Sequence, residues 1–493
     1  MTIDGGANDL GNADLMPTAA ADRTWRWYHF AALWIGMVIS IPAYMLAAGL
    51  IDQGMTPLQA IATILLGNMI VLVPMLLIGH AGARYGIPYA VLLRCAFGTI
   101  GARVPALARA LVACGWYGIQ TWVGGNTLLA LVVVLTGWRS DGVTLPLIGI
   151  DLAHFLSFAA FWLIQLAFVS KGLEMVRKLE TWTAPIKIAI CIGLFVWAMR
   201  HLGGLSPLFS AAPGRNASGA AVDFSAIFWP SLTAMVGFWA TLALNIPDFT
   251  RFARSQRDQF LGQSIGLPAP MALLAVVAVV ATAATRIVFG RAIWDPVELA
   301  GNLPSAGVLI GLLVISIDTV SCNIAANLVG PAYDFAAIAP RRIDYRRGAL
   351  ITAVLAAAIL PWKLIESSGG YIFTWLVGYS ALLGPIAGIL ITDYWVIRRT
   401  RIAVEDLYRH DGRYGYRGGW NPAAVAATVV GIAPNLPGFL ATALPARFGG
   451  MPAILIAPYP YAWFVGAAVA SLVYYGAMRG AGRAAAAIPD HGG

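Results

Sequence analysis

The chain has 493 residues, of which 59% are apolar and 11% charged, and its mean hydropathy is +0.74. A soluble globular protein carries about 25% charged residues, so this composition excludes a soluble globular body, a disordered chain, collagen and a coiled coil, and identifies a polytopic membrane protein. The net charge of +9 is what basic loops on one membrane face produce, so no nucleic-acid partner is needed to account for it.

In chain order, residues 1–26 form a polar segment with Asp4, Asp9 and Asp14 and no apolar run. It is expected to stay in the cytosol rather than act as a cleavable signal peptide. About 20 apolar residues cross the hydrocarbon core as a helix, and 12 stretches qualify: 27–51, 58–79, 104–136, 150–170, 182–200, 224–247, 268–290, 304–330, 348–362, 369–391, 421–441 and 458–478. With the N-terminus inside, 24 of the 32 basic residues fall on the cytoplasmic side, 7 fall outside, and Lys187 lies within the fifth span. That asymmetry supports the helix count and puts both termini in the cytoplasm. Cys95, Cys114, Cys191 and Cys322 are far apart and form no CxxC, so neither a disulfide framework nor a zinc site is indicated.

Span one reads LWIGMVISIPAY over residues 33–44. Pro42 removes an amide donor and disfavours helix at Ile41, leaving carbonyls near Val38 unpaired. Span six carries MVGFWAT over residues 235–241, with Gly237 as its weak point. Breaks near mid-depth in spans one and six suit an inverted five-helix repeat with a site where the halves meet; a plain proline kink is the competing reading. The domain division is then 1–26, a first repeat over 27–200, a second over 224–391, a cytoplasmic loop over 392–420, two C-terminal helices over 421–478 and a tail over 479–493.

In span three, Trp116 and Gln120 are four residues apart and share a helix face. An aromatic plane beside an amide suits a flat heterocycle carrying N–H and C=O groups. Span eight holds Ser316, Asp318, Ser321, Cys322, Asn323 and Asn327, which are costly in hydrocarbon unless they face the interior. Taken singly, each polar residue reads as an interhelical hydrogen bond, and Trp116 and Trp239 as packing; at similar depth together they indicate a site.

Several segments also resemble the nucleobase:cation symporter-1 family of hydantoin, allantoin, uracil and cytosine permeases. They are NADLMPT from Asn12, the ISIPAY motif ending at Tyr44, Gly115 to Gly125, GFWATLALNIPDFTR from Gly237, NIAANLVGPAYDF from Asn323, GPIAGILITDYWVIRR from Gly384, and Asp406 to Tyr414. The resemblance implies an all-α protein of twelve transmembrane helices. The first ten form an inverted five-helix repeat, as in sodium-coupled amino-acid transporters, two C-terminal helices follow, and the protein works by alternating access. It implies a substrate ring between Trp116 and Trp239, read by Gln120 and Asn327, with Ser40 where relatives often carry Gln or Asn. It further implies a sodium site built from the carbonyls of Gly36, Ile39 and Asp318 and a Ser-Thr pair, for which this chain has Ser321 and Cys322. A neutral thiol is a poor ligand for a hard cation. Lys187, or a protonatable Asp318, is therefore expected to replace sodium and make the protein proton-coupled or sodium-independent; snorkelling of Lys187 and a helix-to-helix bond for Asp318 are the alternatives.

The expected function is import of a small planar nitrogenous ring across the cytoplasmic membrane, coupled to a sodium ion or a proton. No cofactor, nucleic acid or obligate protein partner is expected. Cytosine or thiamine transport on the same fold is a second possibility. A membrane-embedded enzyme using Asp318, Glu366 and the six His is disfavoured, because the His are scattered and no HExxH or nucleotide-binding loop occurs. A channel or sensor for the same ring would not accumulate it.

Overall fold

The computed structural model describes residues 9–138, 142–169, 172–204, 206, 222–291, 293, 295–302, 305–365 and 370–481. Among them eight helices are long and apolar enough to cross a membrane, and two bent pairs raise the number to ten. The remaining two predicted spans are helices too, but shorter: Leu152–Val169 has 18 residues and Tyr345–Ala358 has 14. The second begins earlier than expected, at Tyr345, and stops at Ala358, because Leu360 takes a left-handed conformation (φ 55°) ahead of Pro361. Glu366 lies outside the described residues.

The first span is α1, Trp27–Val38, and α2, Ile41–Asp52, bent by 56°. Ser40 between them is extended, with φ −148° and ψ 156°, and Pro42 falls in the first turn of α2. An amide there has no helical partner in any case, so proline starts the new helix without the loss of a bond. The helices α3, Pro57–Tyr85, α4, Tyr89–Phe97, and α5, Arg103–Thr136, follow. After α6, Leu152–Val169, comes α7, Gly172–Leu202.

The second half repeats the pattern of a broken first helix. Here α8, Phe224–Phe238, and α9, Ala240–Asn245, meet at Trp239, and the sixth span bends by 40°. The break falls two residues beyond Gly237 rather than on it. Beyond α10, Pro247–Thr250, and α11, Gln256–Gly266, runs α12, Pro268–Phe289. Next, α13, Ser305–Asn323, loosens into a π-helical turn over Ile324–Leu328 before α14, Val329–Ile338. After α15, Tyr345–Ala358, α16, Val377–Ile391, is preceded by a second π-helical stretch, Gly370–Leu376. The longer helices that follow are α17, Pro422–Ile432, α18, Leu436–Ala443, and α19, Ala462–Ala481; α17 and α19 pack against α16.

The two broken spans lie inside and the others surround them. Every residue from Ile41 to Leu50, and from Ser231 to Thr250, is buried. Leu163, Val429 and Leu472 are well exposed on the outside, an apolar surface of the kind lipid covers. The N-terminal segment straps one end of the bundle. Asn12 Nδ2 donates to the carbonyls of Pro340 and Ile343 at 3.2 and 3.1 Å. Arg251 donates to the carbonyls of Asp14 and Met16 at 3.0 Å each, and Tyr408 Oη to that of Leu15 at 2.7 Å.

Candidate functional site

The breaks expose backbone polar groups in an apolar interior, and each must find a partner. Around them Ser40, Trp116, Gln120, Trp239, Cys322 and Asn327 line one small cavity. These residues come from α5, from both breaks, and from α13 with its π turn. Among the described residues this is where the five residues expected to hold the ring come together.

Both indoles are buried, and each N–H is used outside the cavity. Trp116 Nε1 donates to Tyr379 Oη at 3.3 Å, and that hydroxyl donates to the Gly237 carbonyl at 2.9 Å. A Cβ at Gly237 would collide with Ser380 Oγ; the bare glycine lets α16 approach closely enough for this bond. Trp239 Nε1 donates to Asn68 Oδ1 at 2.8 Å, and Asn68 Nδ2 to the Ile64 carbonyl at 2.7 Å. Phe238 is edge-on to both indoles, with ring centroids 5.2 Å from Trp116 and 4.8 Å from Trp239. The cavity floor is tied down where Arg109 Nε donates to the Thr241 carbonyl at 3.4 Å and the guanidinium pairs with Asp334 at 3.4 Å.

A second cluster lies on the other side of the first break. Lys187 Nζ donates to the Gly36 carbonyl at 2.5 Å and stands 2.6 Å from Asp318 Oδ1 and 3.5 Å from Glu180 Oε2, with all three side chains at most 12% exposed. A Cβ at Gly36 would strike the Glu180 carboxylate, so the glycine admits this cluster to the helix. Ser321 Oγ lies 3.5 Å from Thr183 Oγ1, and Cys322 Sγ donates to the Met37 carbonyl at 3.4 Å. Ile39 closes α1, its N–H bonded to the Ile35 carbonyl at 3.1 Å. Asp318 thus meets Lys187 through its carboxylate. Ser40 is shared with a larger apolar cavity of about 530 Å³, also lined by Lys187 and Asp318.

Sequence reasoning passed over Glu180, Asn68, Tyr379 and Met37. Glu180 precedes the predicted start of the fifth span by two residues and reads as an interfacial acid. Asn68 is a lone amide inside an apolar run, a signal that was present. Tyr379 and Met37 carry none, since their roles depend on what packs beside them. Among the described residues no group of three or more His, Cys, Asp or Glu side chains is placed to hold a metal ion.

Residues 17–466 match the family model described as permease for cytosine/purines, uracil, thiamine, allantoin. The chain is 43% identical to the purine-uracil permease NCS1 of Arabidopsis thaliana, covering 96% of this chain and 78% of the relative. It is 39% identical to the allantoin permease of Bacillus subtilis, covering 96% and 94%. A solved structure of Mhp1, a nucleobase-cation-symport-1 family transporter in a closed conformation with bromovinylhydantoin bound, superposes with a TM-score of 0.76 at 25% identity over 96% of each chain. The family match runs through both broken spans, and the chain belongs to this family of nucleobase-type permeases.

Proposed function

We propose that the protein is a secondary active transporter that imports a small planar nitrogenous ring of the uracil, allantoin or hydantoin class by cation-coupled alternating access. One observation carries the reading: Trp116, Gln120, Trp239, Asn327 and Ser40, drawn from both halves of the chain, line one cavity at two helix breaks. A ring between two indoles gains about 1 to 3 kcal/mol per stacked face, by analogy with base-aromatic stacks. The two amides address its polar edge, and Phe238 is the third aromatic wall. Uptake of radiolabelled uracil, allantoin and hydantoin by proteoliposomes tests this. Accumulation of unmodified ring above equilibrium supports a transporter; equilibration alone would indicate a channel, and a modified product an enzyme.

The proton is the coupling ion favoured by the Lys187 geometry. A sodium ion at the first break would need the Gly36 carbonyl, which already accepts from Lys187, and hydroxyl ligands where Cys322 offers sulfur. The donor set therefore does not fit sodium, and the ammonium fills the cation's electrostatic place. Lys187 faces two carboxylates, so the cluster carries one formal negative charge when all three groups are ionised, and uptake of one proton neutralises it. Coupling follows where proton and substrate favour the same conformer. Uptake driven by an inward proton gradient and indifferent to sodium is the expected result; uptake that collapses without sodium and ignores the proton gradient would overturn it.

The asymmetry of basic residues supports a cytoplasmic-membrane location with both termini inside. The equivalent placing of the two breaks supports inverted repeats over 27–200 and 224–391. Protease accessibility of terminal tags in right-side-out vesicles tests the orientation.

A further inference from the structure

Both amides that line the ring cavity are oriented by bonds made behind it. Asn323 Nδ2 donates to the Tyr117 carbonyl at 3.0 Å and to Gln165 Oε1 at 2.7 Å. Those bonds commit both of its hydrogens and leave Asn323 Oδ1 as an acceptor. Asn327 Nδ2 donates to that oxygen at 2.9 Å, which fixes the amide's orientation and leaves its carbonyl oxygen as an acceptor beside the second N–H.

Gln120 is oriented by a different relay that starts at the first helix break. Cys322 has one hydrogen and gives it to the Met37 carbonyl at 3.4 Å, in the last turn of α1. Its sulfur can then only accept, and Gln120 Nε2 donates to it at 3.6 Å. Gln120 Oε1 is buried and has no hydrogen-bond partner. A buried acceptor left unmade is costly, and here a ligand can satisfy it. Both indole N–H groups are spent on Tyr379 and Asn68, so the tryptophans offer faces rather than donors. Ser40 and Thr241 also line the cavity, and their hydroxyls can serve ring carbonyls.

We propose that the cavity selects rings presenting two N–H donors to the α5–α13 wall, and that Cys322 and Asn323 are the positioning residues that impose this polarity. The proposal rests on the transport reading and narrows its substrate class to lactam and ureide rings with unsubstituted nitrogens on that edge. An N-methylated ring loses a donor and strands a buried acceptor. A site built to hydrogen-bond a polar group rejects the analogue lacking it strongly, and a loss of at least about a hundredfold in affinity is expected for full methylation.

Purified full-length protein is titrated with uracil, hydantoin and allantoin and with their N-methyl derivatives, using 1,3-dimethyluracil as the doubly blocked probe. Wild type should bind at least one parent ring and reject its dimethyl form. Cys322→Ala frees Gln120 to turn and should shrink the parent-to-methyl ratio about tenfold. Cys322→Ser, whose hydroxyl can donate to Met37 and accept from Gln120, should restore the ratio, which a merely structural role for the thiol would not require. A dimethyl ring that competes within a few-fold of its parent, or an unchanged ratio in Cys322→Ala, overturns the inference and leaves the transport reading intact. Failure of every parent and methylated ring to bind overturns the transport reading, and this inference with it.

Discussion

The two broken spans are alike in place and unlike in what satisfies their backbone. At the first break the carbonyls of Gly36 and Met37 are taken by an ammonium and a thiol, Lys187 and Cys322. At the second the Gly237 carbonyl is taken by a neutral phenol, Tyr379, which also holds an indole. One break is therefore held by an ammonium and a thiol and the other by the aromatic wall of the cavity. A transporter that couples ion to substrate needs both, and Ser40, Gln120 and Cys322 stand where they meet.

The comparison is broken most severely at Lys187. Lys187→Met would leave Asp318 and Glu180 buried with no counter-charge, and losing one partner of a buried pair costs about 3 to 5 kcal/mol. A large fall in melting temperature and loss of uptake are expected, with the double variant Lys187→Met/Asp318→Asn recovering part of the stability; a lone Lys187→Met as stable as wild type would contradict the charged account of the first break.

Trp116→Ala acts on substrate rather than stability. It should abolish uptake while membrane insertion and monodispersity persist, and near-normal transport would remove the ring-stacking model.

A smaller effect is expected of Tyr379→Phe, which removes one hydrogen bond from the Trp116 N–H and one from the Gly237 carbonyl. Buried hydrogen bonds between membrane helices are worth about 0.6 kcal/mol on average and about 1.7 at most, so ring affinity should fall several-fold with little change in thermal stability. An unaltered dissociation constant would mean that the hydroxyl does not position Trp116. Asn68→Leu removes the acceptor for Trp239 together with the donor to the Ile64 carbonyl, and a two- to threefold rise in the dissociation constant is expected. Asn68→Asp keeps an acceptor and should stay closer to wild type. The reverse order of the last two phenotypes would show that α3 acts through packing alone.

Much of this was legible beforehand where the physics is local. A run of apolar residues long enough to span lipid, Pro42 in the middle of one, and Trp116 four residues before Gln120 are features of neighbouring residues, and helical geometry converts them directly into spans, a break and a shared face. The bend at Trp239 was misplaced by two residues because Gly237 marks weakness in a helix without choosing where it yields. The π turn over Ile324–Leu328, which presents Asn327, carries no pattern distinguishable from ordinary helix.

Composition and periodicity alone determined that the chain is a helical membrane protein with its polar groups gathered at mid-depth, because lipid leaves every backbone amide to be satisfied within the chain. Only the tertiary structure decided which polar atom serves which. The partners of Met37, Gly36 and Gly237 lie 285, 151 and 142 residues away. The direction of each hydrogen bond, and hence how the amides of Gln120 and Asn327 are oriented at the cavity, exists only once those distant groups are packed together.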